Sequence, residues 1–349
     1  MSTAVSIADL FTAPEELERI LDRFSQRRVA VVGDFFLDKY LVIDAALEEP
    51  SLETGLPAHQ VTEIRNSPGA AGTVVNNLVA LDAGKVAAFG VVGDDGNGDE
   101  LRAALCQRGV DVSSLISDGR IFTPTYMKPV SRDAAGNETE LSRLDVLNRR
   151  RVEGGFGSFV GDALAKRINE FDAVVIVDQV SESQGGIVDG ALHSRLAELG
   201  RKRPDVFILV DSRFSVGEFT NVRLKPNIHE ARRALASDSD DPVALAVSLA
   251  KRCERDVFLT CNAEGIVVAD CDGTSKRVIG VDVAGPVDPT GAGDSASAGI
   301  VLASASGATN LQAAAVGNLV ASITIQQLRT TGTASREKVL KRFVEIASK

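Results

Sequence analysis

The sequence predicts an α/β protein in three layers, with a mostly parallel central sheet, helices on both faces and a small β-sheet lid. Three observations carry this. Short β-branched runs ending in Gly or Asp recur along the chain, and helix-like segments separate them. Two stretches, 35–67 and 121–147, alternate polar and apolar residues with no helix inside. With 349 residues, 44% hydrophobic and 25% charged, the chain can bury a large core, which excludes disordered, collagen-like and disulfide-scaffold classes. The 38 Lys+Arg against 48 Asp+Glu leave a net charge of −10. That argues against a nucleic-acid partner, because phosphate neutralisation needs clustered cations, but a small phosphorylated ligand needs only a few local donors.

The elements follow in order. Leu17, Ile20, Leu21 and Phe24 repeat at three and four, predicting an amphipathic helix over 14–27 with Pro14 near its start. Val29-Ala-Val-Val-Gly33-Asp34 then reads as a buried strand, and the same grammar returns at 86–93, 173–178, 206–211 and 257–260. Helical patterns fill 73–83, 98–108, 158–170, 184–199, 228–236 and 242–253, the last opened by Asp241-Pro242 as cap and first-turn proline. His59-Gln-Val-Thr-Glu-Ile64 and Thr125-Tyr-Met-Lys-Pro-Val130 have the period of two expected of an antiparallel sheet with one wet face. Both stretches follow early strands, so the lid is expected over the strand C-termini, where open α/β sheets bind ligands. The expectation is one domain, 1–349, with the two lid segments inserted.

Cys106, Cys253, Cys261 and Cys271 lack Cys-x-x-Cys spacing and only three His are present, so no zinc site is expected. The N-terminus shows no basic region followed by an apolar run, and the apolar stretch 313–325 is shorter than the ~20 residues of a membrane span and contains Asn318. A cytoplasmic enzyme without a membrane partner is the expectation.

The strongest motif is Asp288-Pro-Thr-Gly291-Ala-Gly293-Asp294, followed by the small-residue run 295–299. Its glycines allow a sharp turn and bring backbone N–H groups to a ligand, and a helix N-terminus behind them adds about half a positive charge. Such a site would hold the negative charge that develops on a transferring phosphoryl group. Asp294 stands beside the anion site, where a general base belongs; the plainer alternative is a helix N-cap. No Gly-Lys-Ser/Thr follows, so this is not a Walker loop, and no Gly-x-Gly-x-x-Gly follows Val32, which excludes a dinucleotide-binding oxidoreductase.

The motif and its late position resemble the C-terminal signature of the ribokinase-like (PfkB) carbohydrate kinases. Gly33-Asp34-Phe-Phe-Leu-Asp38 is similar to that family's first-strand motif, which implies sugar contacts for Asp34 and Asp38. Ser67-Pro-Gly69-Ala70-Ala-Gly72-Thr73-Val-Val-Asn-Asn77 is similar to its N-terminal glycine signature, implying a sugar site at Gly69, Ala70, Thr73 and Asn77. Asn227-Ile-His-Glu230 matches its Asn-x-x-Glu, which organises Mg²⁺, and Thr260-Cys-Asn262-Ala-Glu-Gly265 resembles the turn bordering ATP. Thr290 is placed at the nucleotide too; Asn318, on a helix otherwise rich in Ala and Val, is a further candidate beside adenine, with a satisfied core amide as the favoured reading. Within the family the likeness is greatest to the kinase module of the heptose-7-phosphate kinases, through the long first lid segment and Leu141-Ser-Arg143-Leu-Asp145; a nucleotidyltransferase module often fused there would begin where this chain stops.

The resemblance implies an ATP- and Mg²⁺-dependent sugar kinase on a ribokinase-like three-layer fold. Asp294 is its base and Gly291, Ala292 and Gly293 its anion hole, with Lys128 and Arg143 toward a substrate phosphate, although surface ion pairs would explain those two cations as well. A monovalent cation is left open. Departures fall on the substrate side. Ala70 and Thr73 replace the usual Gly and Asn, Asp211-Ser-Arg213 replaces Asp-Pro-Lys, and 328–333 departs from a Leu-Gly-Thr pattern. A heptose-phosphate-like acceptor is the first expectation. Fructose phosphate, ribose or a nucleoside is the alternative, and a catalytically silent nucleotide-binding regulator is the rival class. The exposed edges of a lid sheet predict a homodimer formed through it.

Overall fold

A computed structural model describes residues 3–133, 135–328 and 331–348. The main sheet has ten strands, in the spatial order Thr3–Val5, Ser275–Val278, Ile266–Ala269, Val257–Thr260, Arg223–Leu224, Phe207–Ser212, Ala173–Asp178, Arg28–Gly33, Lys85–Gly93 and Asp111–Asp118. The seven strands from Val257–Thr260 to Asp111–Asp118 are parallel neighbours, and Ile266–Ala269 enters antiparallel on both sides. Every residue of Ala173–Asp178 and of Phe207–Ser212 is buried, which is why these strands read as unbroken apolar runs.

Alternation along each strand divides the core in two. Val29 and Val31 pack with helices Ala71–Ala80, Ala292–Ala305 and Asn310–Thr324, while Ala30 and Val32 pack with Gly157–Arg167, Gly190–Lys202 and Pro242–Cys253. The first predicted helix covers Pro14–Asp22, buries Leu17, Ile20 and Leu21, and passes Phe24 to a short 3₁₀ turn. The helix expected over 184–199 begins instead at Gly190. Gly185 lies at φ +84°, and Asp189 accepts from the N–H groups of Ala191 and Leu192 at 2.9 and 3.0 Å. The same carboxylate accepts from Gly157 N–H at 3.0 Å, so one aspartate starts two helices.

The lid is a second sheet. Its strand Phe35–Asp44 pairs antiparallel with Val61–Ala70 and parallel with Thr125–Arg132, which also carries Glu138–Glu140 and Leu144–Val146. Its second strand runs past the expected limit at residue 67, because Pro68, Gly69 and Ala70 pair with Leu37, Phe36 and Phe35. The glycine signature is therefore the base of a lid strand. Phe36, Asp38 and Tyr40 share one face with Tyr126 and Lys128; Lys39, Leu41, Met127 and Pro129 share the other.

Candidate active site

The strand C-termini gather the polar groups. Gly33 ends the first long strand so close to its neighbour that a Cβ would lie 2.2 Å from the Val177 carbonyl oxygen. Asp34 follows and accepts from the backbone N–H groups of Gln179 (2.9 Å), Val180 (2.8 Å) and Ile187 (3.1 Å). Burial and the neighbouring Asp178 push its carboxyl up to about 7, against the pull of those three N–H groups. Asp34 borders the cleft, yet both its oxygens are engaged in clamping the crossing loop.

Asp38 is buried on the inner lid face. Its Oδ1 lies 3.1 Å from Lys128 Nζ, which also donates to the Tyr40 hydroxyl at 3.2 Å. Burial pulls the Lys128 ammonium down, but Asp38 and Tyr40 together more than offset it and the net shift is upward. A Cβ on Gly69 would stand 2.8 Å from Asp38 Oδ2, so glycine there leaves room for the carboxylate. Arg143 binds Asp145 at 2.6 and 3.0 Å and stacks its guanidinium 4.1 Å from the Tyr126 ring centre. The two lid cations expected at a substrate phosphate are thus each already paired.

Ala70 is the N-cap of helix Ala71–Ala80 at φ +52°, ψ −115°, a glycine conformation held by an alanine. Thr73 turns its methyl to the Gly291 turn, with Cγ2 3.4 Å from where a Cβ on Gly291 would stand. Asn77 lies a turn deeper, fully buried, donating to Thr73 O at 3.0 Å and Gly332 O at 3.4 Å.

Gly291 caps helix Ala292–Ala305 at φ +77°. Of the expected anion-hole groups, Ala292 N–H donates within the turn, to Pro289 O at 3.1 Å. The N–H groups of Gly293 and Asp294 occupy the rest of the first turn. Asp294 has its carboxyl pushed up to about 7 by burial and by Asp211, with Lys225 and Arg213 pulling the other way. Lys225 is a functional candidate that motif reading missed. Its buried Nζ lies 2.9 Å from Asp211 Oδ2 and 3.5 Å from where a Cβ on Gly293 would be, directly beneath the turn. Ser297 donates to the same Asp211 oxygen at 2.8 Å. The available signal was slight: a lysine two residues before Asn227, following a strand of only two residues, Arg223–Leu224.

Asn227 and Glu230 form a reciprocal capping box: Asn227 Oδ1 accepts from Glu230 N–H at 2.9 Å, and Glu230 Oε2 from Asn227 N–H at 2.8 Å. Burial raises the Glu230 carboxyl, the Asn227 N–H opposes this, and Asp211 adds to it. Thr260 bridges to Asn227 and donates through N–H to Pro226 O at 2.9 Å, which sets the Thr260–Gly265 turn beside the box. Asn262 (φ +50°) and Gly265 (φ +96°) make that turn tight, and a Cβ on Gly265 would meet Val278 O at 2.1 Å. Thr290 is exposed, its N–H on Asp288 Oδ1 at 3.0 Å. Asn318 donates to Val278 O at 3.2 Å and Ile279 O at 3.3 Å, so its amide nitrogen ties a helix to the sheet. The departure near the C-terminus falls partly on residues 329 and 330, outside the described residues.

A mostly parallel sheet, a β lid, and a glycine turn that sets a carboxylate at a helix N-terminus define a ribokinase-like kinase fold. Solved structures agree at the level of fold. Arabidopsis thaliana ribokinase, complexed with ribose and ATP, superposes with TM-score 0.63 at 16% identity, over 91% of this chain and 98% of that one. Escherichia coli phosphofructokinase-2, in complex with potassium, gives 0.66 at 16%, over 93% and 100%. The chain belongs to the pfkB family of carbohydrate kinases, whose family model matches residues 27–145 and 223–337. It is 30% identical over 334 residues to the bifunctional protein HldE of Citrifermentans bemidjiense, covering 93% of this chain and 65% of that protein. The HldE of Geotalea uraniireducens is also 30% identical, over 93% and 64%. The chain thus spans about two thirds of the length of these relatives.

Proposed function

We propose that the protein transfers the γ-phosphoryl group of ATP to a hydroxyl of a sugar or sugar phosphate, a heptose phosphate first. The observation that carries this is Asp294. It is a carboxylate with a raised proton affinity, at the open first turn of a helix, with the Lys225 ammonium beneath. The acceptor lies between Asp38, which takes hydrogen bonds from sugar hydroxyls, and the Gly291–Asp294 turn. Asp294 takes the acceptor hydroxyl proton, that oxygen bonds to the γ-phosphorus, and the bond from phosphorus to the ADP oxygen breaks. The N–H groups of Gly293 and Asp294 and the Lys225 ammonium face the charge that spreads over the phosphoryl oxygens. The HldE relatives favour the heptose phosphate acceptor, and the ribose- and ATP-bound Arabidopsis enzyme supports the division between sugar and nucleotide.

A magnesium ion would neutralise phosphate charge. The donors suit a hard cation: with Oε2 in the capping box, Glu230 keeps Oε1 for a metal-bound water, and Asn227 acts by fixing Glu230. A monovalent-cation dependence belongs to the same reading and rests on the potassium-bound Escherichia coli structure. We also assign a homodimer formed through the lid. Eight of the fourteen exposed large apolar side chains among the described residues (Leu47, Leu52, Leu56, Val61, Ile64, Phe122, Leu141 and Leu144) fall in the two lid segments.

The test is ADP formation from Mg-ATP across heptose, hexose and pentose sugars, their phosphates and nucleosides, with Asp294→Asn beside the wild type. Turnover on one acceptor, lost by ~100-fold or more in the variant while ATP still binds, is the expected result. ATP binding with no ADP formed from any acceptor would move the protein to the regulator class.

A further inference from the structure

Beside the cleft, a cavity of about 420 Å³ is lined by Arg120, Arg149, Arg150 and Arg151. It adjoins a smaller cavity of about 120 Å³ between the Asp34 loop and the lid-base residues Phe36 and Tyr126, and the two share Ile121, Leu147 and Asn148. In a chain of net charge −10 this concentration of arginine calls for an occupant.

Two of the four are satisfied internally. Arg120 binds Asp118 through Nε and Nη2 at 2.9 and 2.7 Å and donates to Glu153 O at 3.1 Å, and Arg151 pairs with Glu182. Arg149 and Arg150 have no hydrogen-bond or ion-pair partner among the described residues. Glu153 is on the same wall, and the balance stays positive with its carboxylate counted. The segment leading into this turn is fixed: Asn148 accepts from Phe122 N–H at 2.9 Å and donates to Phe122 O at 2.9 Å. The inner lid offers an anion nothing comparable, since Lys128 is held by Asp38 and Arg143 by Asp145.

We propose that the Arg149–Arg150 turn is an anion subsite that binds the phosphate of a phosphorylated acceptor, with the sugar reaching back past Asn148 and Tyr126 into the cleft. This rests on the kinase reading and narrows it to acceptors phosphorylated away from the reacting hydroxyl. Guanidinium groups suit the task, because each matches two phosphate oxygens at once and keeps its charge at any working pH.

The experiment is titration calorimetry on the full chain with sedoheptulose 7-phosphate and fructose 6-phosphate, each against its unphosphorylated sugar. Wild type is compared with Arg149→Ala/Arg150→Ala and with Arg149→Lys/Arg150→Lys, and thermal melting checks that each variant is folded. The expected result is that wild type prefers a phosphorylated form by at least ~10-fold, that the double alanine variant loses that preference, and that the lysine variant recovers part of it. Equal preference in wild type and the alanine variant overturns the subsite, as does a wild type with no preference. A protein that keeps the arginine-dependent preference but forms no ADP would retire the kinase reading and leave the subsite standing.

Discussion

Ala70 occupies φ +52°, ψ −115°, a region where a Cβ costs about 1–3 kcal/mol. Replacing it with glycine also frees the unfolded chain, at a cost of roughly 0.5–1 kcal/mol, so strain relief wins. Ala70→Gly is therefore expected to stabilise the protein by about 1 kcal/mol in urea denaturation, and a destabilised variant would show that the backbone is not strained. Asp294 gives the second prediction at this scale. A base must be ionised to act, and burial together with Asp211 pushes this carboxyl up to about 7. The value of kcat/KM should then rise with pH, fall roughly tenfold per unit below the inflection near 7, and level off above it. A profile flat from about pH 5.5 to 8.5 would remove Asp294 as the base. Asp294 and Asp38 were legible in the sequence because each sits in a motif whose chemistry demands a carboxylate. Lys225 was not, because its role comes from burial between Asp211 and the Gly293 turn, and that depends on two neighbouring strands and a helix much later in the chain meeting. At Asp34 the motif showed the place but not the structural work: it borders the cleft, and its carboxylate also accepts three backbone N–H groups of the crossing loop.

Among the elements, the parallel strands and their helices were readable because burial on both faces leaves continuous apolar runs, and amphipathic helices leave a stripe at three and four. Strand Arg223–Leu224 is too short for any pattern, and Ser275–Val278 carries charge because it lies toward the edge of the sheet, with only Thr3–Val5 beyond it. Helix Ile228–Leu235 offers a test that separates structure from chemistry. Glu230 closes the capping box through Oε2, and a glutamine can make the same bond from its carbonyl oxygen. Glu230→Gln should therefore keep stability within about 0.5 kcal/mol of wild type, whereas Glu230→Ala should lose about 1 kcal/mol. If Glu230 holds a metal-bound water, both variants need several-fold more Mg²⁺ for half-maximal turnover. An unchanged Mg²⁺ requirement in Glu230→Gln would leave the residue a cap alone.

At the scale of the whole molecule, the proposed dimer rests on the lid. Its inner face carries Asp38, Tyr40 and Lys128, and its other face is divided. Near the base, Lys39 and Asn66 hold Glu100 of helix Gly96–Cys106, at 2.6 and 3.2 Å. Beyond them, Ile64, Leu41 and Pro129 stand in register across three strands, with Met127 opposite Leu144 in the next row. Ile64 is 55% and Leu144 60% exposed, and a continuous apolar row of this kind is what a second copy would cover, together with the open edge of Val61–Ala70. The wild type should sediment as a dimer at micromolar concentration. Ile64→Glu, which puts a charge at the edge-strand end of that row, should shift it to monomer with its thermal midpoint little changed, because the residue is already half in water. A monomeric wild type would refute the arrangement. A dimer indifferent to Ile64→Glu would move the interface off the lid, and the apolar row would then need another partner.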